Sequence, residues 1–167
     1  MSLDFESKIG NISPNFVDKF ENLVKSLSQF GGGADSARYT SGKSFSNAYE
    51  LYTYAFFLGL ASKRTYEMLP EEKKSKFMEI KHWKPAALKD QLVACAIGET
   101  EVDLFQLQFA EEDNQVQAVV RDVKSTIEAY ANGGLELIAE AFDESPDAKH
   151  DDEFFLRLML SVQGSND

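Results

Sequence analysis

The chain has 167 residues, 43% of them hydrophobic, and a net charge of −11. That length reads as one domain able to bury a core without disulfides or metal, and the apolar fraction excludes a disordered polymer. Cys95 is the one cysteine, so no internal disulfide can form, and the acidity counts against general nucleic-acid binding, because phosphate backbones repel a negative surface.

The N-terminal Met1-Ser2-Leu3-Asp4-Phe5-Glu6 has neither the basic nor the apolar region of a secretory leader. Ser13-Pro14 predicts a helix start, a hydroxyl cap followed by proline at the first helical position, with Phe16, Phe20, Leu23, Val24 and Leu27 at helical spacing. Gly31-Gly32-Gly33 ends it, and the Gly-, Ser- and Thr-rich stretch to Ser46 reads as a loop. A second helix is expected from Ser46 or Asn47 to about Ser62. Tyr49, Leu51, Tyr52, Tyr54, Phe56, Phe57, Leu58 and Leu60 leave it almost no polar face, the pattern of a central, buried helix, which length and caps favour over a buried strand at Tyr52 to Leu58. Its longest apolar run, Tyr54 to Leu60, is too short for a membrane span.

Pro70-Glu71-Glu72 predicts a short helix with acids in its first turn. Pro85 starts another, with Leu88, Leu92, Val93 and Ala96 on its core face and Gly98 at its end. Residues 101–109 fit a strand as well as a helix, and a short helix is expected. Val116, Val119, Val120, Val123, Ile127 and Tyr130 mark a long amphipathic helix, which Asn132-Gly133-Gly134 should break before Leu135 to Phe142 resumes. After an acidic loop, Asp151 or Asp152 caps a last helix carrying Phe154, Phe155, Leu158, Met159 and Val162. The expected fold is an all-α, multi-helix bundle of about six to seven helices over residues 1–167, with residues 1–12 and 163–167 as flexible ends and an aromatic-rich central helix.

The charge is unevenly placed. Residues 62–89 hold eight Lys/Arg and four Asp/Glu, a net of +4, whereas residues 90–167 hold four and eighteen, a net of −14. Lys63, Arg64, Lys73, Lys74, Lys81, His82, Trp83 and Lys84 are therefore the candidate partner or anion-binding surface. Cations interleaved with aromatics can hold phosphates and stack bases. The favoured alternative is a lysine-covered face whose aromatics point into the core.

Other chemistry is weaker. Gly42-Lys43-Ser44 ends like a phosphate-binding loop, but the glycine that motif needs upstream is Ala37, and no buried strand precedes it. His82 and His150 lack a second ligand at metal-binding spacing, and the acids around His150 lack the glycine turn of a calcium loop. Cys95 sits in the apolar run Leu92 to Ile97 and reads as a small buried hydrophobe. Paired acids such as Glu71-Glu72 and Glu111-Glu112 serve acid–base work only when shielded from water. No catalytic, cofactor or metal residue is assigned.

Two stretches, Tyr49-Glu50-Leu51-Tyr52-Thr53-Tyr54-Ala55-Phe56-Phe57-Leu58-Gly59-Leu60 and Ile127-Glu128-Ala129-Tyr130-Ala131-Asn132-Gly133-Gly134-Leu135, with the Leu92 to Ile97 run between them, resemble small bacterial proteins associated with Dnd-type DNA phosphorothioation and phage-defence loci. The resemblance implies an accessory protein of DNA modification or defence and carries over no catalytic residue. The expectation is a cytoplasmic, non-enzymatic interaction protein with a protein partner or a second copy of itself. Alternatives are a DNA-binding regulator using the basic segment, and a small enzyme or ligand-binding protein with an interhelical pocket.

Overall fold

The computed structural model describes residues 2–28 and 44–164; the triple glycine and Gly42-Lys43 of the expected loop lie outside them. Among the described residues the chain is mostly α-helical, as expected, with α1 (Ser2–Gly10), α2 (Glu21–Leu27), α3 (Ala48–Ser62), α4 (Ala86–Gly98), α5 (Leu104–Leu107), α6 (Asp113–Glu144) and α7 (Phe154–Gly164). Strands β1 (Asn15–Val17) and β2 (Lys74–Lys76) form a two-stranded sheet. No helix among these residues is long and apolar enough to cross a membrane.

The fold has two compact units, each assembled from separate stretches of chain. The first comprises Met1–Asn15 and Lys76–Glu128. Its core holds Ile9, Ile12, Phe77, Ile80, Trp83, Leu92, Val116, Val123 and Ile127. Two backbone bonds join its segments: Phe77 N–H donates to Pro14 O and Ile80 N–H to Ile12 O, both at 2.9 Å.

The second unit comprises Phe16–Ser75 and Ala129–Asp167. Here α3 is the aromatic-rich helix expected at the centre, burying Leu51, Tyr52, Ala55, Phe56 and Leu58. Its start is a reciprocal cap: Asn47 Oδ1 accepts from Glu50 N at 3.0 Å, and Glu50 Oε2 accepts from Ser46 N at 2.9 Å. Ala131, Leu135 and Ile138 of α6 and Phe154 of α7 complete the core. Phe45, Tyr54 and Phe155 form a ring cluster with centroids 4.9–5.6 Å apart, and the Tyr54 hydroxyl donates to Phe155 O at 2.6 Å.

Three local expectations are corrected within the chain and one at its start. Ser13-Pro14 does not open a helix: Asn15–Val17 is a strand, and Val17 N–H donates to Asn132 Oδ1 at 3.0 Å, so α2 waits until Glu21. Pro70-Glu71-Glu72 forms turns leading to β2, with Glu72 Oε1 accepting from Leu69 N. The short helix expected within residues 101–109 is present as α5, capped by Asp103 Oδ1, which accepts from Phe105 N and Gln106 N at 2.9 and 3.1 Å. Finally, Asn132-Gly133-Gly134 does not interrupt α6. Those glycines let other backbone approach instead: a Cβ on Gly134 would stand 1.8 Å from Ala55 O, and one on Gly133 2.3 Å from Arg64 O. Residues 2–10, expected as a flexible end, form α1.

Candidate functional site

The basic segment is divided between the two units. In the second unit, Lys63 ends α3 in the left-handed conformation, φ 55°. This turn brings Arg64 against α6, where its Nη2 donates to Glu136 Oε2 at 3.0 Å and to Glu140 Oε1 at 2.6 Å. The hydrogen bonds to Glu136 and then Glu140 hold the guanidinium pKa above its ordinary value. Glu136 also lies 3.8 Å from the Lys19 ammonium, which sits 4.3 Å from the Tyr66 ring centroid. The Tyr66 hydroxyl donates to Glu72 at 2.8 Å, and the Leu69 amide together with that hydroxyl depresses the Glu72 pKa. Arg64 is thus committed to carboxylates of its own unit. Lys63, Lys73 and Lys74 are exposed, with no carboxylate within ion-pair distance among the described residues.

In the first unit, Lys81 lies 2.5 Å from Glu79 and donates to Asn11 Oδ1 at 2.8 Å. His82 is exposed, 3.7 Å from the same Glu79, whose pKa is lowered chiefly by Lys81. Trp83 is 1% exposed, and its indole N–H donates to Met78 O at 3.2 Å. A ring so buried has no free face for stacking a base. Lys84 is exposed. The lysine-covered face with inward aromatics therefore describes Lys81 to Lys84 and the buried Phe77.

No group of three or more His, Cys, Asp or Glu that could hold a metal occurs among the described residues. Cys95, expected buried, is half-buried. His150 is exposed in the turn Pro146–His150.

Two features escaped the pattern of residues and stand out in the fold. Phe105 and Phe109 are 69% and 66% exposed, with Leu104 beside them at 49%. Their rings meet edge to face, centroids 5.3 Å apart. Leu107 turns inward and anchors α5, leaving its neighbours outside. Alongside lies a cleft of about 300 Å³ lined by Val102, Leu107, Phe109 and Val119 together with the polar Asp103, Gln106 and Gln115. In the second unit, Leu156 and Leu160, one helical turn apart on α7, are 63% and 55% exposed. The alternation at residues 101–109 hid the first feature, since strand and helix registers send different side chains outward. Its signal was compositional: Glu99 to Asp113 holds six carboxylates and no Lys or Arg. Comparison of the chain with protein families, with curated proteins and with solved structures found no match.

Proposed function

We propose that this protein is a non-enzymatic interaction protein whose helices present apolar side chains to a protein partner. The exposure of Phe105, Phe109, Leu156 and Leu160 carries this reading. Apolar side chains left together in water by a chain with an ample core are characteristic of partner surfaces. The resemblance of Tyr49–Leu60 and Ile127–Leu135 supports a setting in a bacterial DNA-modification or phage-defence system, in the cytoplasm. Direct DNA contact through Lys63 to Lys84 is the lesser reading, because Trp83 is buried and Arg64 and Lys81 are held by carboxylates.

The test is capture of the purified products of neighbouring genes on the immobilised full chain. A neighbour should be retained by the wild type and lost with Phe105→Ser/Phe109→Ser or with Leu156→Ser/Leu160→Ser. Retention of no neighbour, together with turnover of a nucleotide or small molecule, overturns the proposal.

A further inference from the structure

The surface at Phe105 and Phe109 carries enough chemistry to define its occupant. We infer that residues 99–119 dock a basic amphipathic segment of a partner protein, an inference that rests on the interaction-protein reading and specifies one of its surfaces.

The two exposed rings stand beside the 300 Å³ cleft, so one surface offers both a projection and a recess. A cleft of that size accepts a leucine- or phenylalanine-sized side chain, while the rings pack against neighbours on the same helical face. This is the geometry of a helix laid against a groove, read out by apolar anchors a turn apart.

Charge then selects the partner. Between Lys89 and Arg121 the chain has no cationic side chain. Exposed Glu101, Asp103, Glu111 and Glu112 flank the rings in sequence, and Asp113 is joined to Lys8 at 2.6 Å. Exposed rings within a mainly acidic surround are matched by lysines and arginines on either side of apolar anchors. Another copy meets an overall repulsion, since every copy carries the same net charge of −11, and it could reach this rim only through its own basic residues 62–89. Nucleic acid is disfavoured by the same rim.

The probe is a fluorescently labelled helical peptide of leucine and lysine with the leucines on one face, titrated with the full chain and followed by anisotropy. A leucine–glutamate peptide of the same pattern is the control. Binding of the lysine peptide alone is expected. Phe105→Ala and Phe109→Ala should each weaken it by about tenfold, the range of an interface anchor. Glu101→Gln/Glu111→Gln/Glu112→Gln should flatten its salt dependence, and Leu88→Ser, at a residue that α4 exposes rather than turning to the core as expected, should leave it unchanged. All these residues are exposed and can be altered without touching the core, and circular dichroism verifies the fold. Absence of binding, equal binding of the acidic peptide, or indifference to both phenylalanine changes overturns the inference. Self-association of the wild type that Phe105→Ala abolishes overturns it in favour of a second copy. If a neighbour is captured while the lysine peptide is ignored, the interaction reading stands and only this surface assignment falls.

Discussion

Gly134 and Gly98 show how differently two helical glycines can matter. A methyl group at Gly134 would fall 1.8 Å from the Ala55 carbonyl oxygen, an obstruction by backbone that no rotamer change relieves. Gly59 repeats the arrangement, its added Cβ standing 2.1 Å from Tyr130 O. Gly134→Ala must therefore push α3 and α6 apart, and it should cost roughly 3 kcal/mol, at the upper end for overpacking. Gly98 meets nothing within 4 Å. There, removing the freedom of the unfolded glycine should dominate, and Gly98→Ala should stabilise by about 0.5 kcal/mol. Urea denaturation of the two variants measures both; equal effects would mean that the close approach of helices does not govern Gly134. The same crowding explains a misleading signal, for Gly133-Gly134 resembles a helix breaker when its neighbours are unknown.

At the scale of elements, legibility followed whether the deciding partners were local. The start of α3 was readable because Asn47 and Glu50 satisfy each other's end of the helix within four residues. The continuity of α6 was misread: Val116, Val123, Ile127, Ala131, Leu135 and Ile138, all buried, keep helical spacing straight through the glycines, whose close neighbours Ala55 and Arg64 are distant in sequence. β1 was not readable, because the acceptor for Val17 N–H is Asn132, more than a hundred residues away. Non-local packing also sets the response of α3 and α7 to alkali. Burial raises the pKa of Tyr54 above its ordinary value of 10.0. The unfolded chain thus releases this proton before the folded one does, and the contribution present at neutral pH is lost as pH rises above about 10. Tyr54→Phe should lose about 1 kcal/mol at neutral pH with the bond to Phe155, and the wild type's advantage should shrink as the pH passes 10. Parallel denaturation curves for the two proteins from neutral pH to 11 would contradict this.

For the whole molecule, the decisive quantity is where charge is free to act. The contrast between a basic middle and an acidic C-terminal half was legible from residue counts, but which cations are uncommitted was not. Arg64 and Lys81 spend their charge within their own units, whereas Lys63, Lys73, Lys74 and Lys84 face solvent. Exposed lysines such as these four, on a chain of net charge −11, are a weak match for a polyanion. Duplex DNA should therefore bind no more tightly than roughly 10⁻⁴ M at physiological salt, the loose end of non-specific association. Titration of labelled duplex at several salt concentrations decides the matter. If all four lysines met phosphates, log affinity would fall with log salt at a slope near −4, about −0.9 for each contact. A slope that steep, reduced by about one when Lys73 or Lys74 becomes Gln, would make the basic segment a nucleic-acid surface. A weak and nearly salt-independent signal would leave the acid-rimmed rings of Phe105 and Phe109 as the place where the molecule's charge and its exposed apolar surface act on the same partner.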